Sequence, residues 1–97
     1  MSKPFKITYA PRAIEDIRAL RAFDRTKVVK AIEQYLTHES TQVSKSRIKR
    51  FEEPFWCQFR LRIDASGAYY NVNEMSHDVS ILRVLRKETE QTPPEAP

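Results

Sequence analysis

The chain has 97 residues, with 17 lysines and arginines against 13 aspartates and glutamates, a net charge of +4, and 40% of its residues are hydrophobic. That length allows one small domain, and the composition is that of a folded core rather than a disordered chain. A single cysteine excludes an internal disulfide, and no apolar run is long enough to cross a membrane, so a soluble cytoplasmic protein is expected.

In "PFKITYAP", Phe5, Ile7 and Tyr9 alternate with Lys6 and Thr8, which predicts a short strand. Pro11 suits the first position of a helix, where its missing N–H costs little. Glu15 and Asp16 are expected in the first turn, facing the positive end of the dipole. Ala13, Ile14, Ile17, Leu20 and Phe23 recur at helical spacing, while Arg12, Arg18 and Arg21 fall toward solvent. Asp24 reads as the N-cap of a second helix with Val28, Val29, Ile32, Tyr35 and Leu36 as its apolar stripe. The polar run "HESTQVSKS" ends it, and so short a link predicts an antiparallel helical hairpin.

The second half changes to a period of two. "FWCQFRLRI" (55–63) reads as one strand, with Phe55, Cys57, Phe59, Leu61 and Ile63 on one face and Trp56, Gln58, Arg60 and Arg62 on the other. A turn at "DASG", served by Gly67, leads to "AYYNVNE", and a turn at "MSHD" leads to "VSILRVLRK". The expectation is an α+β domain over residues 1–87, in the order β-α-α-β-β-β. Its helical hairpin packs on one face of a small, mainly antiparallel sheet and leaves the other face open. Residues 88–97, acidic and proline-rich, read as a frayed tail. Cys57, on the oily side, reads as a buried structural thiol.

The last ten residues hold three acids and no base, so the rest of the chain has 17 basic against 10 acidic groups, a net of +7. Such a body favours an anionic partner, although a solvated basic surface has the same composition. Lys45, Arg47, Lys49 and Arg50 precede the "FWCQFRLRI" strand, Arg60 and Arg62 lie on it, and Arg83, Arg86 and Lys87 lie on the last strand. Guanidinium forks match phosphate oxygens, and Trp56 and Tyr69 offer rings for base stacking, although a lone tryptophan more often belongs to the core. One cysteine and two histidines give no metal constellation, and one glycine builds no phosphate loop, so no metal or cofactor is implied.

The pattern "FKITYAPRAIEDIRAL", "KVVKAIEQYL", "SRIKRF", "FRLRIDASGAYYNVNE" and "VSILRVLRK" resembles the RelE/ParE superfamily of bacterial toxins from type II toxin–antitoxin modules. The resemblance spans nearly the whole chain except its ends. It implies an acidic antitoxin as partner, and either RelE-like cleavage of mRNA on the ribosome or ParE-like poisoning of DNA gyrase. A degenerate member that binds antitoxin or RNA without toxicity is a third reading. No membrane is involved in any of them.

For RNA cleavage, a ribose 2′-hydroxyl attacks the adjacent phosphate. A base takes its proton, cations hold the phosphorane charge, and an acid protonates the leaving oxygen. The resemblance matches Arg60 and Arg62 to basic strand positions of the family, and Lys87 or Arg86 to the basic end of the last strand. With Arg83, which shares a side of that strand with Lys87 by period two, the catalytic candidates are Arg60, Arg62, Arg83 and Lys87. Lys45, Lys49, Arg50, Arg86, Trp56 and Tyr69 are the accompanying RNA- or phosphate-binding candidates. The sequence departs from the family at several points. Ser66 and Gly67 stand where a Tyr-Arg pair is common, Gln58 where a lysine can stand, and no tyrosine or histidine follows the last strand. The anion-holding groups are thus better represented than the acid and base.

Overall fold

The computed structural model describes residues 3–44, 47–52 and 56–86. Among these, β1 (Lys6–Tyr9), α1 (Pro11–Arg18), α2 (Ala22–Glu39), β2 (Ile48–Arg50), β3 (Phe59–Ile63), β4 (Ser66–Asn73) and β5 (Asp78–Arg86) follow one another. The five strands form one sheet in the order β1-β5-β4-β3-β2. β1 runs parallel to β5, and every other neighbouring pair is antiparallel. The α+β architecture is the expected one, with one strand more. β2 lies within "SRIKR", where three residues are too few for a period-two signal to emerge.

The apolar periodicities meet in one core. Ala13 and Ile17 of α1 and Val28, Ile32 and Leu36 of α2 pack on Ile48, Phe59, Leu61, Ile63, Ala68, Tyr70, Val79, Ile81 and Val84 of the sheet. Both helices therefore lie on one face. α1 is shorter than its apolar spacing implied, so Leu20 follows its end and Phe23 is 76% exposed. Glu15 and Asp16 lie beyond its first turn. α2 begins at Ala22 behind Arg21, which places Asp24 in its first turn instead of at the cap. The guanidinium of Arg25 donates to the carbonyls of Arg18 and Leu20, at 3.3 and 3.1 Å, and closes the corner between the helices.

Three further expectations are corrected. The strand predicted over 55–63 is regular only from Phe59. Before it, side-chain amides replace the ladder: Gln58 N–H donates to Asn71 Oδ1, and Val72 N–H to Gln58 Oε1, each at 2.7 Å. Gly67 is not the turn residue. It lies inside β4 opposite Arg62, while Asp64 turns the chain with a φ of 51°. Finally, β5 contains a bulge. Tyr69 pairs with Arg83 but Tyr70 with Ile81, so Leu82 is the extra residue. The bulge reverses the alternation, letting Val79, Ile81 and then Val84 all face the core. Unbroken alternation would have driven Arg83 into it.

No helix among the described residues is long and apolar enough to cross a membrane. Lys45, Lys87 and the 88–97 tail lie outside the described residues.

Candidate nucleic-acid interface

Residues directly opposed on neighbouring strands share a face of the sheet. Lys49 opposes Arg60, Arg60 opposes Tyr69, and Tyr69 opposes Arg83. The four form one row across β2, β3, β4 and β5, on the face the helices leave bare. With strands about 4.8 Å apart, the row is about 14 Å long. Arg62 lies in the next row, opposite Gly67. Glycine offers no side chain beside it, and Arg62 is exposed.

The centre of the row is roofed. Tyr69 is only 2% exposed. The Phe51 ring lies parallel to it, 5.9 Å away and 6° from coplanar, and the Trp56 ring lies 5.3 Å away at 31°. A large ring on a face without helices is thus covered by rings from the segment that follows β2. Tyr69 is consequently not a bare stacking platform, and the half-buried Phe51 and Trp56 form the outer aromatic layer instead. Lys49 sets its ammonium 5.3 Å from the centre of the Phe51 ring. Phe51 carried no sequence signal beyond its position after a basic run.

Arg83, at the end of the row, has a carboxylate partner. Its Nε and Nη2 donate to the two carboxylate oxygens of Asp16 at 2.7 and 3.0 Å. Asp16 also accepts the Val84 N–H at 3.0 Å, on the stretch of β5 that extends past its pairing with β1. The bond to Asp16 raises the Arg83 pKa above its usual value, against the opposing effect of burial. Arg83 is therefore held in an ion pair with Asp16.

Two other candidates fall on the other side. Arg50 opposes the core residue Phe59, and its guanidinium lies 5.4 Å from that ring. Arg86 opposes Ser66 and lines a small hollow with Asp24, Lys27 and Val28 of α2. Among the described candidates, Lys49, Arg60 and Arg62 stand side by side on the open face. Beside them, at the entrance to β3, lies a cleft of about 340 Å³ lined by Arg50, Phe51, Glu52, Trp56, Gln58 and Asn71. Cys57 is buried, donates to the Phe59 carbonyl at 3.7 Å, and has its thiol pushed up to about 12 by burial. Such a thiol is not a nucleophile.

No family model matches the chain, and no curated protein matches it. Solved structures do. One chain of the toxin–antitoxin complex RelBE2 from Mycobacterium tuberculosis superposes with a TM-score of 0.73 at 21% identity, over 86% of this chain and 98% of that one. The isolated Escherichia coli RelE toxin gives 0.61 at 17% identity, over 84% and 83%. A chain of the chromosomal ParDE system from Pseudomonas aeruginosa gives 0.64 at 16% identity, over 84% and 95%. The chain thus has the RelE-like fold, two helices on one face of a mostly antiparallel five-stranded sheet.

Proposed function

We propose that the chain is the toxin of a type II toxin–antitoxin pair, neutralised by an acidic antitoxin, and that its open sheet face grips mRNA on the ribosome for cleavage. The observation that supports this reading is the row in which Lys49 and Arg60 stand side by side, with Arg62 next to them, on a RelE-like fold. Adjacent cations repel, and phosphate oxygens relieve that repulsion while matching the guanidinium fork. Arg60 and Arg62 hold the charge that builds on the phosphorane as the 2′-hydroxyl attacks. Lys49 supplies an amine next to Arg60, and Glu52 a carboxylate in the adjoining cleft, for the two proton transfers.

A ParE-like reading, in which the same face binds DNA gyrase without chemistry, is favoured by one feature. Arg83 is balanced by Asp16, and Gln58, itself a poor base, is engaged with the Val72 N–H. The groups for acid–base work are correspondingly few.

Induced expression with mapping of mRNA ends and DNA breaks separates the two. Codon-phased mRNA cuts, abolished by Arg60→Ala in a protein that still folds, are the expected result. Intact mRNA with gyrase-dependent breaks establishes the second reading, and neither outcome leaves a non-toxic binder of antitoxin or RNA. A small acidic open reading frame beside the gene accompanies any of the three.

A further inference from the structure

On the helix-covered side, α2 and the C-terminal end of β3 enclose a second basic groove of about 310 Å³. Lys27, Lys30 and Gln34 come from one ridge of α2, Arg47 from the approach to β2, and Arg62 from β3. Among the groove's described residues the one carboxylate is Asp64, and it is paired with Lys27. Glu33 of α2 lies elsewhere, lining an apolar hollow with Tyr9 and Ile14. The groove is left with four cations against one anion.

Arg47 is the groove cation with a ring partner. The central carbon of its guanidinium lies over the Tyr35 ring, 4.2 Å from the ring centre. The backbone beneath is pinned on both sides: Ser44 Oγ accepts the Arg47 N–H at 3.1 Å, and the Arg47 carbonyl accepts the Arg62 N–H at 2.7 Å. A guanidinium stacked on a ring still presents its N–H edge outward, in the plane suited to two oxygens of one phosphate. Arg47 is thus held in place, which lowers the side-chain ordering that binding requires of it.

We propose that this groove is a second phosphate-binding site, which takes the backbone of a single-stranded RNA independently of any cleavage on the open face. Two features favour RNA over an acidic peptide. Arg62 belongs to the open face by its strand parity and also lines the groove, so the two cationic surfaces join around the end of β3. A chain with a phosphate at every residue can follow such a path. The apolar floor, supplied by Ala31 and Ile63 beside the Tyr35 ring, is too slight to anchor peptide side chains.

The test is fluorescence anisotropy of a labelled twelve-nucleotide RNA with the full-length chain across a salt series. The variants are Lys30→Gln/Arg47→Gln in the groove and Lys49→Gln/Arg60→Gln on the open face. Losing two phosphate contacts should weaken binding about tenfold or more at low salt and reduce the slope of log K against log salt by about 1.4. Lys30→Gln alone, at an exposed helix position, should reduce it by about 0.7 without disturbing the Arg47 stack. Groove variants that keep the parent affinity and slope overturn the proposal, and if the open-face variant alone is weakened, the open-face reading survives. Groove variants that lose polyglutamate binding but retain RNA binding also overturn it and assign the groove to an acidic protein.

Discussion

Asp16 of α1 and Arg83 of β5, 67 positions apart, form a two-point ion pair, with Nε–Oδ2 at 2.7 Å and Nη2–Oδ1 at 3.0 Å, each side chain only 16% exposed. The same carboxylate caps the Val84 N–H. One residue thereby closes the sheet edge where β1 stops and anchors α1 to it. Asp16→Ala leaves a half-buried guanidinium and a strand N–H without this acceptor, and should destabilise the fold by about 2–4 kcal/mol. Urea denaturation measures it. Arg83→Ala should lose a comparable amount, whereas Arg60→Ala should act chiefly on RNA cleavage in a protein that still folds. RNA cleavage that survives Arg60→Ala in folded protein would undo that division of labour.

The division also marks what the sequence could convey. Helical and strand periodicities were strong enough to place both helices, β1 and the three later strands, and the alternation of Phe59, Leu61 and Ile63 with Arg60 and Arg62 put the two arginines on the bare face. Register is a tertiary property and was not legible in the same way. The bulge at Leu82 left one trace, the broken alternation of "ILRVL", and it decides that Arg83 opposes Tyr69. Asp16 reads as a helix-dipole residue because nothing local connects it to position 83. Tyr69, exposed by parity, is covered by Phe51 and Trp56, since a large ring gains from burial wherever a loop can reach it.

Alkaline conditions should weaken the fold in a defined window. Burial pushes the Cys57 thiol from 9.0 to about 12 and raises the Tyr70 phenol above its usual 10.0. Both groups keep their protons longer when folded than when unfolded. Their contribution is complete below pH 9 and is lost as pH rises, because the unfolded chain then releases protons that the fold retains. The Tyr70 hydroxyl donates to the Ser40 carbonyl at 2.7 Å and ties the end of α2 to β4. Tyr70→Phe should cost about 1–2 kcal/mol at neutral pH and flatten the alkaline fall. Stability curves from pH 7 to 11 check both.

Cys57 should likewise resist alkylation in the native protein. A thiol titrating near 12 instead of 9.0 holds about a thousandfold less thiolate at neutral pH. Iodoacetamide should label it at an ordinary rate only after denaturation. Rapid native labelling would mean that the segment before β3 opens readily.

The turn between β3 and β4 gives a backbone test. Asp64 has a φ of 51°, a region that aspartate tolerates and β-branched residues do not. Its carboxylate pairs with Lys27, but both side chains are largely exposed, at 64% and 48%, so that pair contributes little. Asp64→Gly should therefore change stability by less than about 0.5 kcal/mol, whereas Asp64→Val should cost about 1–2 kcal/mol. A large loss in the glycine variant would instead assign the ion pair a structural role.

The aromatic roof can be followed by its own fluorescence, because Trp56 is the only tryptophan in the chain. Its ring lies against Tyr69, which is 2% exposed, and Phe51 covers Tyr69 in parallel. Tyr69→Ala removes the surface on which both outer rings rest. It should destabilise the fold by about 3–5 kcal/mol, the usual cost of emptying a large aromatic site. In the variant that remains folded at low temperature, Trp56 emission should shift to the red as water reaches its inner face. Phe51→Ala uncovers one side of Tyr69 while leaving Trp56 against it, so its stability loss should be smaller and its emission nearly unchanged. It also removes the ring beneath Lys49, so RNA affinity should fall only as far as Lys49 depends on that ring for its placement. If Tyr69→Ala left both stability and emission unaltered, the roof would not exist in solution, and the row from Lys49 to Arg83 would be open along its length.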